Sequence, residues 1–199
     1  DSKCRPLALQ EFKKLAFKMN PLPDAVWEHY ASKMKLISLE KGSYFLKPGE
    51  RADRYAYVYQ GLFKRYYLDT KGKAYIISFD DKGRAISDFP SLIQDKPSQM
   101  FIQCLEDAIL LVTPYGFPKY IRNYHESVEK GARRLTEIRY LEYVERTLDH
   151  MKLSAEERYQ KFLEKQGDLI ERIEKKDLAA YLGVTASSLS RLSRETETK

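Results

Sequence analysis

The sequence predicts an α+β chain in three parts: a β-roll, a long helix and a small helical domain. Three patterns carry this reading. Between Leu39 and Pro114, short apolar or aromatic runs recur at a spacing of roughly ten residues with glycine turns between them. From Phe117 to about Met151, apolar residues step by three and four, and only Gly131 interrupts after Pro118. From Ile173 to Arg194, two short amphipathic stretches meet at Gly183.

Two helices are expected first, over 6–18 and 21–34. Leu9, Phe12, Leu15 and Ala16 share one face of the first, and Asp24 is placed to cap the second before Val26 and Trp27. The runs LISLEKG, SYFLKPGE, YAYVYQG, LFKRYYLDTKGK, AYIISFDDKG and FIQCLEDAILLVTP then read as strands of an antiparallel sandwich or barrel. Leu62–Leu68 and Ala74–Phe79 flank Asp69-Thr70-Lys71-Gly72-Lys73, a hairpin turn. Tyr55, Tyr57 and Tyr59 alternate along one run, which assigns them to the core or rim of the sheets and not to stacking on bases. In Lys64-Arg65-Tyr66-Tyr67, alternation puts Lys64 and Tyr66 on one face and Arg65 and Tyr67 on the other; one of these faces is solvated or lines a pocket.

The long helix carries the stripe Val128, Ala132, Leu135, Ile138, Leu141, Val144 and Leu148. It is too long to be covered by the β-roll alone. A two-fold partner helix is the expected cover, with Val128, Leu135, Ile138 and Leu141 in the dimer seam. Ser154-Ala155-Glu156-Glu157 reads as a capping box opening a helix over 155–165, and Gly167-Asp168 ends it.

The stretch IEKKDLAAYLGVTASSLSRLSR (173–194) then reads as a helix-turn-helix. Leu178, Leu182, Val184, Leu189 and Leu192 supply its buried positions, and Ala179 sits where the helices cross. Gly183 takes the turn, where positive φ costs glycine little, and Thr185 is placed to cap the second helix. Ser187, Ser188, Arg191 and Arg194 fall on the outer side, with no carboxylate before Glu195. Short hydroxyls and arginines without an acid to repel phosphate suit a DNA major groove.

The 199 residues and 43% hydrophobic content allow one large or two small domains with a sizeable core. The net charge of +6 is compatible with nucleic acid. Residues 150–199 carry 10 basic and 9 acidic residues, so the DNA-binding reading rests on the placement of Arg191 and Arg194 and not on bulk charge. Cys4 and Cys104 are too few for a disulfide scaffold or a four-cysteine cluster and read as reduced thiols. No apolar run approaches a membrane span and no signal-peptide pattern is visible, which points to a cytoplasmic protein. His29, His125 and His150 are scattered, no nucleophile–base arrangement or phosphate loop appears, and a turn accounts for Asp80-Asp81. An enzyme and a metal or haem protein are therefore not expected.

The order of these parts resembles the Crp/Fnr family of bacterial transcription regulators. KPGERADRYAYVYQG (47–61), GLFKRYYLDTKGKAYIISF (61–79) and the helix-turn-helix carry the resemblance. It implies a double-stranded β-helix (jelly-roll) sensor like that of cyclic-nucleotide-binding domains over 1–117, a dimerisation helix over 118–151, and a winged helix-turn-helix over 152–199. It also implies a homodimer on near-palindromic double-stranded DNA, with RNA polymerase a candidate partner. Carried over by position, Ser187, Ser188 and Arg191 face base edges, while Thr185, Ala186 and Arg194 lie beside the backbone. Cyclic-nucleotide members hold phosphate with a Gly-Glu pair and an Arg-Ser/Thr pair, positions that align here with Ser87-Asp88 and Pro97-Ser98. Proline has neither the charge nor the N–H to replace that arginine, so cyclic AMP is not expected as a cofactor. The effector is unnamed. Arg65, Arg84, Asp88 and Ser98 are the candidate pocket residues, with Arg65, Arg84 and Lys96 able to receive an anionic ligand. The wing is either absent or supplied by a hairpin around Leu169–Ile173. The competing reading is a small-molecule-binding module whose helical end contacts protein and not DNA.

Overall fold

The computed structural model describes residues 4–114, 116 and 125–197. Two helices open the chain, α1 (Cys4–Met19) and α2 (Asp24–Lys33). Asp24 is the first residue of α2 and not its cap: Pro23 occupies the cap position without a side-chain hydrogen bond, and Asp24 pairs with Lys13 at 3.6 Å. Eight strands follow with one short helix among them: β1 (Lys35–Leu39), β2 (Tyr44–Leu46), β3 (Ala56–Gln60), β4 (Phe63–Leu68), β5 (Ala74–Asp80), β6 (Ala85–Ile86), α3 (Phe89–Gln94), β7 (Phe101–Cys104) and β8 (Ala108–Val112). They form two four-stranded sheets, ordered β1-β8-β3-β6 and β2-β7-β4-β5. The strands divide between the two sheets as in the predicted β-roll, with the consecutive β4 and β5 side by side in one sheet.

Register is fixed where burial demands it. Antiparallel β1 and β8 pair from Lys35 opposite Val112 to Leu39 opposite Ala108, and β3 pairs with the other edge of β8. Gly61 holds this corner: at φ +106°, a Cβ on it would lie 2.5 Å from that of Ala108, so no other residue fits. Phe12, Val26, Trp27, Tyr30 and Met34 of the two N-terminal helices form one apolar cluster with Tyr57, Leu111 and Val128. The alternating Tyr57 is thus a core residue, as its spacing predicts.

Four helical elements complete the chain: α4 (Glu126–Lys152), α5 (Ala155–Gln166), α6 (Lys175–Leu182) and α7 (Ala186–Glu197), with a 3-10 turn at Gly167–Leu169. The part of the predicted long helix over 117–124 lies outside the described residues. The Ser154–Glu157 capping box forms, with Ser154 N–H donating to Glu157 Oε2 at 2.7 Å and Glu157 N–H to Ser154 Oγ at 3.3 Å. The 169–173 segment is not a hairpin: after the 3-10 turn the chain runs through turns into α6, and among the described residues no strand follows α7. No helix of the described residues is long and apolar enough to cross a membrane.

The chain divides into two compact units, 1–65 with 79–139, and 66–78 with 140–199. Helix α4 gives its first half to one and its second half to the other.

Candidate nucleic-acid interface and effector region

In the second unit, α6 and α7 meet as the sequence predicts. Helix α6 ends at Gly183, whose φ of +70° and ψ of 32° are left-handed, and the Val184 N–H closes the turn on Ala179 O at 3.0 Å. Leu178, Ala179, Leu182, Leu189 and Leu192 are buried, while Val184 is half-buried. Thr185 caps α7: its Oγ1 accepts from Ser188 N–H at 3.1 Å and lies 2.9 Å from the hydroxyls of Ser187 and Ser188. The first turn of α7 has no acidic residue. Thr185, Ser187, Arg191 and Arg194 are exposed, and Ser188 is half-buried. Arg191 is 71% exposed, with Glu195 at a loose 3.9 Å; Arg194 Nε donates to Ser190 O at 3.3 Å. The helix therefore presents hydroxyl groups at its positive end and guanidinium groups further along one outward face.

Behind this pair, Arg146 on α4 binds three things. Its Nη2 donates to Ile76 O of the β4–β5 hairpin at 2.6 Å and to Tyr181 O at 2.9 Å, and its guanidinium carbon lies 3.9 Å from the Tyr181 ring centroid. One side chain thus ties the hairpin, the long helix and the helix-turn-helix into the second unit. Nothing in the local sequence pattern marks it.

The first unit places the sequence-predicted pocket residues differently from one another. Arg65 is 1% exposed, and its Nε donates to Asp80 Oδ2 at 2.8 Å. Arg84 Nε lies 3.5 Å from Asp80 Oδ1, and Arg139 Nη1 lies 3.4 Å from the same oxygen while its Nη2 donates to Ala85 O at 2.7 Å. Arg65 and Arg84 therefore turn to an internal carboxylate. In the sequence Asp80 reads as a turn residue, and nothing marks Arg139 within its apolar stripe. Asp88 and Ser98 do come together: Asp88 caps α3, accepting from Ser91 N–H at 3.2 Å, from Ser91 Oγ at 2.7 Å and from Ser98 Oγ at 2.9 Å. Ser98 Oγ in turn accepts from Met100 N–H at 2.9 Å. These bonds close the loop around α3. Lys96 is exposed.

The predicted dimer stripe splits along α4. Val128 is buried in the first unit's own core, Leu135 lines a cavity of that unit, and Ile138 is half-buried. Leu141 is 61% exposed, and Tyr140, Leu148 and Met151 are exposed with it. Cys104 is buried, which pushes its thiol up to about 11, out of the reactive range. Among the described residues no group of three His, Cys, Asp or Glu side chains is arranged to hold a metal ion.

No family model and no curated protein matches the sequence. Solved structures do match its fold. FixK2 from Bradyrhizobium japonicum superposes with a TM-score of 0.75 at 17% identity, over 83% of this chain and 85% of that one. The c-di-GMP-responsive global regulator CLP of Xanthomonas campestris gives 0.70 at 12% identity, over 88% and 92%. A protein from Eubacterium rectale assigned to the Crp/Fnr family of transcriptional regulators gives 0.71 at 17% identity, over 89% and 84%. With its two four-stranded sheets, its long helix and its terminal helix pair, the chain has the fold of the Crp/Fnr regulators.

Proposed function

We propose that this protein is a sequence-specific DNA-binding transcription regulator that acts as a homodimer. The observation that carries the reading is the outward face of α7, where Ser187 and Arg191 project from a helix capped by Thr185 and packed through Leu189 and Leu192. A helix held by its own apolar side, with hydroxyls and arginines on the other, is fitted to the major groove, and arginine to guanine O6 and N7 is the strongest single contact it offers. Arg194 and Thr185 stand where backbone phosphates pass. The matched fold supports the same reading.

Leu141, Leu148 and Met151 support the dimer. They are exposed apolar residues spaced by seven and three on one helix, the spacing of a coiled-coil seam. The seam is therefore proposed for the second half of α4, with Val128 of the first half packed in the protomer's own core. Pairing there joins two copies of α7 for the two half-sites of a near-palindromic duplex, one helical turn of about 34 Å apart. Residues 1–117 are assigned to sensing, 118–151 to dimerisation and 152–199 to DNA.

The test is selection of bound duplexes from a random pool with wild-type protein and with Arg191→Ala. The expected result is a two-fold symmetric motif that the variant loses. Sequence-blind binding by both proteins contradicts the proposal and favours a module whose helical end contacts protein.

A further inference from the structure

The first unit contains a partly open apolar cavity of about 100 Å³. Phe12 and Leu15 of α1, Phe89 and Leu92 of α3, and Val128 and Leu135 of α4 form its walls. Among the described residues no charged side chain lines it. Protein interiors are normally packed as densely as organic crystals, so space of this size needs a reason. Here α4 brings Gly131 and Ala132 to the cavity, and neither has the side chain to fill it. A Cβ added to Gly131 would meet only Asn20 Cβ, at 3.9 Å.

One polar group stands out in this lining. Tyr55 is fixed at its backbone, its N–H donating to Thr113 Oγ1 at 3.1 Å and its carbonyl accepting from the Thr113 N–H at 3.0 Å. Its hydroxyl makes no hydrogen bond to any described residue. Burial pushes its ionisation far above the ordinary phenol range, so the group is neutral and serves only as donor or acceptor. Tyr55 is half-buried, and its side chain gives the lining a neutral group that can hydrogen-bond to a bound molecule.

We propose that this cavity binds a small uncharged apolar molecule, about the size of a six-membered ring with a short substituent. Its single hydroxyl or carbonyl group would hydrogen-bond to Tyr55. Apolar cavities of roughly 150 Å³ accept a benzene ring; the space here is about 100 Å³ and partly open, so such an occupant extends through the opening. A nucleotide or other anion is disfavoured, because no cation among the described lining residues answers its charge. The occupant touches α1, α3 and the first half of α4 together. Its role as effector rests on the DNA-binding function proposed above; its role as ligand rests on the cavity alone.

Benzyl alcohol and toluene are the probes, titrated into the full chain and followed by ligand-observed NMR and thermal melting, with cyclic AMP as the charged control. Saturable binding of both apolar probes and none of cyclic AMP is expected. Ala132→Phe fills the cavity and abolishes binding. Tyr55→Phe weakens benzyl alcohol about fivefold and leaves toluene unchanged, the size of one hydrogen bond. Absence of binding to wild-type protein overturns the proposal, as does full-strength binding to a folded Ala132→Phe. If Ala132→Phe does not fold, equal loss or equal retention of both probes in Tyr55→Phe overturns the assigned geometry. A second arm repeats the DNA titration with benzyl alcohol present, where a change of about fivefold or more is expected. Binding with an unaltered DNA titration overturns the effector role; binding to a protein that takes no DNA motif counts against the proposed function and leaves the cavity site standing.

Discussion

Arg139 Nη1 lies 3.4 Å from Asp80 Oδ1, and both side chains are buried. The contact fastens the middle of α4 to the end of β5 within the first unit. Arg65 reaches the other carboxylate oxygen at 2.8 Å, so one buried acid answers two buried guanidinium groups. Removing the acid leaves both charges without that partner, whereas removing Arg139 leaves the Arg65–Asp80 pair in place.

Asp80→Asn is therefore expected to cost about 3–5 kcal/mol of stability, the usual penalty for stranding a buried charge. Arg139→Met should cost clearly less. Urea unfolding midpoints of the two variants check the order, and a milder effect of Asp80→Asn would show that Asp80 does not hold this network.

Gly183→Ala is expected to destabilise the second unit by about 1–2 kcal/mol. The φ of +70° strains any L side chain, and the new Cβ would press to 3.2 Å from His150 Cε1. Thermal melting of the variant measures the loss, and wild-type stability would contradict the left-handed turn.

Glu145 gives a pH dependence of known sign. Hydrogen bonds from Lys161 and Lys165 hold its carboxyl down to about 2. A carboxylate depressed in the folded state contributes stability that is present above its unfolded pKa of about 4.3 and lost as pH falls toward 2. The contribution is small, because Glu145 is 48% exposed and salt screens it. The stability difference between wild type and Glu145→Gln should be constant above pH 5 and vanish near pH 2.

The proposed seam predicts that Leu141→Glu and Met151→Glu convert the dimer to monomer. Both side chains are exposed, at 61% and 76%, so the melting of the protomer itself should change little. Sedimentation velocity at matched concentrations separates the species, and an unchanged dimer would move the interface elsewhere.

What the sequence reveals follows the range of each interaction. Gly183, Thr185 and the Ser154–Glu157 box are legible because their chemistry closes within a few residues. Strand runs and the β-roll are legible from alternation and turn spacing. The α4 stripe is legible as a face, but periodicity does not say what covers it; Val128 turns to its own core and Leu141 to the outside. Asp80 and Arg139 escape because they are far apart in the chain and only the fold brings them together. Arg65 and Arg84 look like anion ligands for the same reason: the sequence shows two cations and hides the acid already between them. The cavity beside Gly131 depends on side chains from four helices and leaves no local trace.

Base reading by α7 is tested most directly by a binding titration of the selected duplex and of a scrambled duplex, each with wild-type protein and Arg191→Ala. Loss of one arginine–guanine contact is worth about 1–3 kcal/mol per half-site. At least a roughly fivefold weakening is expected on the selected duplex, with the scrambled duplex changing only as far as one lost charge requires. Equal weakening on both duplexes, or none on either, would show that α7 does not read bases.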